Sequence, residues 1–528
     1  MGECGGGPVL PQGDSADQRI NTCMDGKMKI LQSKKFKNTV MAVLLLGYLI
    51  FNGILLAGHE LWRDEANVWL IAGKLTPFQL LKEIKYQGHP CLWYLLLMPL
   101  AKSGLSFRTI VYVSYGIMAA GAGIFLYRAL VSLPVKALCL FSPIFTYYYS
   151  VIARNYCLVA LFLLILALDY QNRNRHPVRY GAWLFFLVQS DTVALAPAGM
   201  ICLMWLSEGI LKSRREKNTS AFLQTVKGLW LPLASLVLWM TEFYQVSDSP
   251  VYQVKQFGIG ELIREIRNYI LFILERMTGR SQLFCTLFLL AALLLLCWIS
   301  YRIRSFWAFT VLLASWLFQA LFSVMVYQLH IWHFISLAFV WLWTLWVIKT
   351  QGAEREILFS RLDRAAFAGL EILTVCLAVT MFARWNDSQE SSSLSNALHG
   401  SYSDAESVSE YIEETLPEDA VIVTDNVAFA STVAAYLPDR TFYFAGTGQE
   451  EGYADWSERQ SRVISTENLL RWAEEKWTDQ EAIYLLDSAG SCITDQESFG
   501  NYEILYQTDT ETARGEEYTL YRIKMPHK

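Results

Sequence analysis

The sequence predicts an α-helical multi-pass membrane protein with a small α/β domain at its C-terminal end. Of its 528 residues, 53% are hydrophobic and only 18% are charged, and the mean hydropathy is +0.26. This composition is more apolar than that of an ordinary soluble protein. The apolar residues form successive runs that approach the roughly 20 residues needed to span a bilayer. After about Arg384 the chain becomes polar, which separates a membrane part from a soluble part.

The N-terminal segment 1–37 is polar and ends in several lysines, and we expect it to be a disordered basic tail. An apolar run from Val40 to Ala57 follows it. A signal peptide has a similar layout, but here the polar lead is long and no small-residue cleavage site closes the run. We therefore expect an uncleaved membrane helix. The positive-inside rule then places the tail in the cytoplasm and the next residues, Asp64 and Glu65, outside.

The membrane part is predicted over 38–384, and two of its runs need special treatment. The run 91–101 is short, so we interpret it as an incomplete crossing. The run 180–207 is interpreted as a hairpin broken near Asp191, with that aspartate capping the second half. Basic loops then fall on the cytoplasmic side. The outer face receives Asp64, Glu65, His89, the segment 150–156, the loop 246–282 and the segment 330–333.

The outer loop 246–282 contains a helical pattern. Isoleucines and a leucine recur at three- and four-residue spacing from Ile259 to Ile273, with charged residues between them. This pattern predicts an amphipathic helix at the membrane interface. Two roles remain open for it, a cover over the polar site or a cover over the helix bundle.

The segment 385–403 is rich in Ser and Asn and is interpreted as a linker. From 404 to 528 short apolar runs alternate with helical patterns, which predicts an α/β domain. Helices are expected over 407–415, 429–436 and 466–477, and strands over 420–424, 441–444, 482–486 and 518–523. This domain is expected to be extracytoplasmic, with acceptor recognition or stability as its open roles.

Two adjacent carboxylates, Asp64 and Glu65, follow shortly after the end of the first predicted membrane helix. Ionisable residues at such a position suggest chemistry on a substrate that is half lipid and half polar, such as a lipid-phosphate sugar. In glycosyl transfer a carboxylate takes the acceptor proton while cations neutralise the departing phosphate. Repulsion between neighbouring acids predicts a raised pKa for one of the two. We expect Asp64 to be the catalytic base and Glu65 to support it.

Several ordered motifs occur between residues 40 and 170. They are Arg63-Asp64-Glu65-Ala66, Gly88-His89-Pro90-Cys91-Leu92-Trp93-Tyr94-Leu95-Leu96, Ser142-Pro143 with Tyr148-Tyr149-Ser150, and Ala153-Arg154-Asn155-Tyr156. In this order they resemble the motifs of the C-type (GT-C) membrane glycosyltransferases, most closely the family 39 relatives of protein O-mannosyltransferases and aminoarabinose transferases. The resemblance implies an inverting transfer of a hexosyl or pentosyl group from a polyprenyl-phosphate donor, with the acidic pair in the first outer loop.

The resemblance assigns donor or phosphate contacts to His89, Arg154, Tyr156 and, in a late outer segment, His333. Simpler interpretations remain open for three of them. Arg154 could anchor the interface by its charge, His89 could pack in the turn before Pro90, and His333 could be an interfacial histidine.

This chain departs from the family pattern at two places. Where many relatives carry an acidic residue two positions before the arginine, it has Ile152, and where they carry Pro-Pro it has Pro90-Cys91. Loss of that acid removes a second carboxylate, so no metal site is predicted and the involvement of a divalent cation stays open. The cysteines show no metal-like spacing and are interpreted as small buried hydrophobic residues.

The expected partners are a polyprenyl-phosphate-linked sugar, membrane lipid and an acceptor that is a glycan, a lipid or a protein, with no nucleic acid. The expected location is a cell membrane, specifically the bacterial cytoplasmic membrane. Two other functions remain open. A lipid or polysaccharide transporter would show internal repeats and ionisable residues at the midplane. A non-catalytic membrane scaffold would not need Asp64 and Glu65.

Overall fold

The structure is a computed structural model, and it describes residues 16–244, 255–387, 393–488, 493–494 and 502–525. The chain divides into two compact units, 1–50 and 51–528. The first helix, α1, is Ala16–Ala57. Residues 16–37, expected in a tail, are therefore helical, and this stretch contains no proline that would interrupt a helix. The rest of that predicted tail, 1–15, lies outside the described residues.

Helices make up the membrane part. After α1 they are α2 (Arg63–Lys74), α3 (Pro77–Glu83), α4 (Leu92–Lys102), α5 (Thr109–Arg128), α6 (Leu133–Leu140), α7 (Tyr156–Asp169), α8 (Pro177–Val188), α9 (Leu195–Glu216), α10 (Ser220–Glu242), α11 (Ile259–Thr278), α12 (Gln282–Arg302), α13 (Trp307–Met325), α14 (Ile331–Glu354) and α15 (Arg361–Trp385). Within the described residues, eight helical segments are long and apolar enough to cross a membrane, in α1, α5, α9, α10, α12, α13, α14 and α15. The chain is thus a multi-pass membrane protein, as predicted.

Helix α14 forms the centre of the bundle. It packs against α7 and α13, and its side chains from His333 to Ile348 are buried without interruption. A helix that is apolar on all sides is expected in such a central position. Outside this core, α8 packs on α10, α9 on α10 and α13, and α12 on α15.

Three local predictions are confirmed. Helix α4 has 11 residues, too few to cross a bilayer at 1.5 Å per residue. The hairpin is broken between α8 and α9, where Asp191 accepts a hydrogen bond from the Val193 backbone N–H at 2.8 Å. The amphipathic helix of the 246–282 loop is α11, although residues 245–254 of this region lie outside the described part.

The C-terminal part is the predicted α/β domain. Its helices are α16 (Leu394–His399), α17 (Ala405–Thr415), α18 (Val427–Tyr436) and α19 (Thr466–Lys476). Its strands are β1 (Ile422–Thr424), β2 (Phe442–Phe444), β3 (Gln449–Glu450), β4 (Ile464–Ser465), β5 (Ala482–Ser488), β6 (Ile493–Thr494), β7 (Tyr502–Gln507) and β8 (Tyr518–Lys524). Residues 388–392 of the predicted linker lie outside the described part, and 394–399 form α16.

The main sheet has the order β3-β2-β1-β5-β8-β7. Strand β1 is parallel to β2 and β5, and β8 is antiparallel to β5 and β7. Fully buried aliphatic side chains, including Val423, Ile483, Leu485 and Ile523, form its core. Strand β7 was not predicted, because this edge strand is largely exposed and lacks a clean alternation of apolar and polar residues.

The α/β domain is docked on the segment from the end of α1 through α2 by buried polar contacts. Asn67 on α2 exchanges two hydrogen bonds with the backbone of Ala454, with Nδ2 donating at 3.0 Å and Oδ1 accepting at 2.7 Å. The Glu60 carboxylate accepts the backbone N–H groups of Tyr402 and Ser403. These pairings fix the domain beside the residues that carry the candidate chemistry.

Candidate functional site

A cavity of about 480 Å³ lies between the start of α2, the turn at 88–89, the starts of α7 and α14 and the C-terminal domain. Five of the six residues predicted for the site line it. They are Asp64, His89, Arg154, Tyr156 and His333. These residues are up to 269 positions apart in the sequence (333 − 64 = 269), so the fold, and not local sequence, brings them together.

Asp64 and Arg154 form an ion pair at the cavity wall, with Arg154 Nη1 donating to Asp64 Oδ2. Burial raises the pKa of Asp64, but Arg154 and Arg63 lower it by more, and the resulting pKa lies below the usual value. The expectation of a raised pKa is therefore wrong for Asp64. The prediction considered only the neighbouring acid, whereas the fold places an arginine in direct contact.

His89 connects this ion pair to a second carboxylate. Gly88 before it has a φ of +74°, a left-handed conformation that glycine adopts without strain. The His89 Nε2 atom lies 2.7 Å from Arg154 Nη2 and its Nδ1 atom lies 3.0 Å from Asp191 Oδ2. Because a guanidinium only donates, Nε2 accepts and Nδ1 carries the proton that is donated to Asp191.

Asp191, which the sequence interpretation expected to cap a half-helix, also lines the cavity. Its Oδ1 atom does cap the turn before α9, while its Oδ2 atom accepts from His89 and from Asn155 Nδ2, the latter at 2.7 Å. Burial raises the pKa of Asp191, but the hydrogen bond and charge of His89, with the other contacts, lower it by more. The resulting pKa lies below the usual value for an aspartate. A carboxylate inside an apolar run was the available signal.

Tyr156 and His333 are in contact at the cavity wall, with Tyr156 Oη and His333 Nε2 3.0 Å apart. The backbone N–H of His330 donates to His333 Nδ1 at 3.0 Å, so Nδ1 has no proton and Nε2 carries it. Nε2–H then donates to the phenol oxygen. The Tyr156 hydroxyl proton remains available to a ligand in the cavity.

Glu65 does not line the cavity, so the structure does not bring this predicted catalytic residue to the site. Its carboxylate is fully buried and accepts from Ala153 N–H at 2.6 Å, from Trp62 N–H at 3.2 Å and from His59 Nε2 at 3.1 Å. It therefore ties the start of α2 to the loop that carries Arg154. Its role here is to position the Asp64–Arg154 pair.

The Pro90-Cys91 departure has a structural counterpart. A second proline would have no backbone N–H, whereas Cys91 N–H donates to the buried Glu242 carboxylate at 3.3 Å. The Cys91 thiol lies 3.6 Å from Gln189 Oε1. This chain thus holds the turn after His89 through polar contacts to α10 and to the end of α8.

The C-terminal domain also contributes to the cavity, through Trp456 and Arg514. Neither residue was predicted, because no local motif distinguishes them. Two residues further along the chain, the fully buried Glu516 accepts from the Arg63 backbone N–H at 2.9 Å and from Ser403 Oγ at 2.7 Å. The loop that carries Arg514 is thereby fastened directly to the start of α2.

We expect Glu516 to make the stability of the folded protein dependent on pH. Burial raises its pKa from 4.5 to about 7, against the lowering effect of the Arg63 and Ser403 donors. An acid with a raised folded pKa favours folding at low pH, and the advantage is lost as pH rises from 4.5 to 7. We expect wild type to lose about 3 kcal/mol relative to Glu516→Gln over that range. Denaturant unfolding in detergent from pH 4 to 8 measures this difference.

Glu503→Gln is the matched control, because Glu503 is an exposed glutamate on the adjacent strand β7. The unfolding free energy of Glu503→Gln should change with pH in the same way as that of the wild type. A difference between wild type and Glu516→Gln that stays constant with pH would contradict the proposed titration.

Within 16–244, 255–387, 393–488, 493–494 and 502–525, no group of three or more His, Cys, Asp or Glu side chains is arranged to hold a metal ion. Seven cysteines in these ranges are free, namely Cys91, Cys139, Cys157, Cys202, Cys285, Cys297 and Cys376, and the first three and Cys285 are buried.

Comparison with known proteins gave structural neighbours only. No family model matches the chain, and no curated protein matches it. Among solved structures, it is similar to ArnT from Cupriavidus metallidurans in the apo state, with 10% identity and a TM-score of 0.47, over 92% of this chain and 98% of ArnT. It is also similar to the same protein bound to undecaprenyl phosphate, with 10% identity and a TM-score of 0.40, over 93% and 99% of the two chains.

Proposed function

We propose that this protein is a membrane glycosyltransferase that moves a sugar from a polyprenyl-phosphate donor to an acceptor at the extracytoplasmic face. The observation that carries the proposal is the chain of contacts Asp64–Arg154–His89–Asp191 along the wall of one cavity. It combines a partly exposed carboxylate with a permanently charged guanidinium. These are the two groups that sugar transfer from a phosphate requires.

The position of the cavity supports a lipid-linked substrate. Tyr156 and His333 stand at or near the first residues of α7 and α14, so the cavity lies where these helices begin. Helix N-termini carry partial positive charge and favour phosphate groups. A substrate with its polar head here would have its chain beside the apolar helix surfaces.

In the proposed reaction, the acceptor hydroxyl oxygen attacks the anomeric carbon from the side opposite the phosphate, which inverts the configuration. The acceptor proton passes to Asp64. The bond between the anomeric carbon and the phosphate oxygen breaks, and its electron pair stays on the phosphate. Arg154 and the Tyr156 hydroxyl stabilise the growing negative charge. His89, fixed by Asp191, holds Arg154 in place.

Donor binding would also strengthen the base. The ion pair with Arg154 keeps the pKa of Asp64 low, and a weakly basic carboxylate removes a proton poorly. A donor phosphate competes for the same guanidinium. Once Arg154 is shared with the phosphate, Asp64 is less stabilised as an anion and becomes a better base.

The test uses purified full-length protein in sealed proteoliposomes supplied with a synthetic polyprenyl-phosphate sugar labelled in the sugar. Sugars of the hexose and pentose classes are offered with mixed glycan, lipid and protein acceptors. We expect cleavage of the bond between sugar and phosphate, release of polyprenyl phosphate and label in an acceptor. A transporter would instead move the intact labelled lipid between leaflets. Movement without cleavage for every donor would overturn the proposal.

A further inference from the structure

Arg514, in the loop before β8, reaches from the soluble domain into the cavity. Its guanidinium carbon lies 4.4 Å from the ring centre of Trp62, 4.8 Å from that of Tyr402 and 5.2 Å from that of Trp332. Its Nε atom donates to the Tyr402 hydroxyl at 2.6 Å. Aromatic faces on several sides hold the side chain in a defined position and stabilise its charge.

Among the described residues Arg514 has no acid in ion-pair contact, and Asp64, which acts on its charge from a greater distance, is shared with two other arginines. Arg154 is paired with Asp64, and Arg63 lies 3.9 Å from the same carboxylate. For Arg514, the described part of the chain provides no carboxylate within 4.0 Å. A charge removed from water without a partner is costly. An anion from outside the protein would remove that cost.

Unused hydrogen-bond donors lie at the same place. Arg514 Nη2, Arg154 Nε and Trp62 Nε1 are buried and have no hydrogen-bond partner among the described residues. All three side chains line one small cavity of about 10 Å³, roughly the space of a single water molecule. The same three residues also line the large cavity. A ligand in the large cavity can therefore contact the same three side chains that carry these unused donors.

We propose that Arg514 and Arg154 together bind the phosphate of the lipid-linked donor, so that the soluble domain supplies part of the active site. This inference rests on the proposed function for the identity of the anion. When the bond between the anomeric carbon and the phosphate oxygen breaks, the electron pair remains on the phosphate, and the two guanidinium groups neutralise its added charge. The docking contacts of Glu60, Asn67 and Glu516 then serve to place Arg514.

The experiment measures the dissociation constants of polyprenyl phosphate and of the neutral polyprenol of equal chain length on full-length protein in detergent. Arg514→Met keeps much of the apolar stem and removes the charge. We expect it to weaken polyprenyl phosphate binding by about 10- to 100-fold and to leave polyprenol binding within about twofold of wild type. Inorganic phosphate, as a third probe, shows whether the site binds the anion without the lipid chain.

Arg522→Met is the matched control, since Arg522 is a partly exposed arginine of the adjacent strand β8 that lies 3.9 Å from Glu503. It should bind polyprenyl phosphate like wild type. If Arg514→Met does not fold, Arg514→Lys provides the readout, with an expected affinity between those of wild type and an uncharged site. Unchanged polyprenyl phosphate binding in a folded Arg514 variant would overturn the inference.

The two proposals fail separately. Binding that depends on Arg514 without sugar transfer from any donor would contradict the glycosyltransferase proposal and leave the anion site in place. Sugar transfer by the wild type together with unchanged polyprenyl phosphate affinity in Arg514→Met would support the glycosyltransferase proposal and contradict the role of Arg514.

Discussion

Asp64→Asn is expected to reduce the rate of sugar transfer by about 10²- to 10⁴-fold, the usual contribution of a general base. Asparagine has nearly the same shape and can still accept from Arg154, but it cannot take the acceptor proton. The loss should therefore appear in kcat more than in KM. Initial rates with a labelled polyprenyl-phosphate sugar, in membranes with matched protein amounts, measure it.

Two further variants make this result specific. Asp64→Glu keeps a carboxylate but places it one methylene group further from the backbone. This variant should retain more activity than Asp64→Asn. Asp439→Asn changes an exposed aspartate of the soluble domain and should be as active as wild type. More than a tenth of wild-type activity in Asp64→Asn would argue against Asp64 as the base.

Glu65→Ala is expected to lower the free energy of unfolding by about 3–5 kcal/mol, because each buried donor left without an acceptor costs roughly 1–3 kcal/mol. The substitution leaves the backbone N–H groups of Trp62 and Ala153 and the His59 ring without their acceptor. Glu65→Gln keeps an acceptor oxygen and should lose less stability. Denaturant unfolding in detergent, monitored through the spectroscopic signal of the helices, measures the unfolding free energies of both variants.

The control for this series is Glu83→Ala, an exposed glutamate at the end of α3, which should change stability by less than about 0.5 kcal/mol. Glu65→Gln should also lower the rate of sugar transfer per folded molecule, since Glu65 holds the loop that carries Arg154. This loss should exceed the one expected from a smaller folded fraction alone. An unfolding free energy for Glu65→Ala within about 1 kcal/mol of wild type would show that the buried carboxylate does not fasten this loop.

Local sequence was sufficient to predict the class of the protein and much of its layout. The long apolar runs, the break at Asp191, the short α4 and the amphipathic α11 follow from how side chains divide between lipid and water and from helical spacing. The alternating pattern after 404 predicted the main strands and helices of the soluble domain for the same reason. The extracytoplasmic placement of that domain stays a prediction.

The sequence by itself also pointed to Asp64, through its position beside an apolar helix, and the resemblance to known family motifs added His89, Arg154, Tyr156 and His333. The tertiary structure decided how they act. It paired Asp64 with Arg154 and so lowered the pKa of the aspartate, buried Glu65 as a fastening residue, turned Asp191 toward His89 and brought Arg514 from the far end of the chain. Hydrogen bonds and Coulomb interactions depend on distances of a few ångströms in space. Those distances come from helix packing and domain docking, which local sequence does not specify.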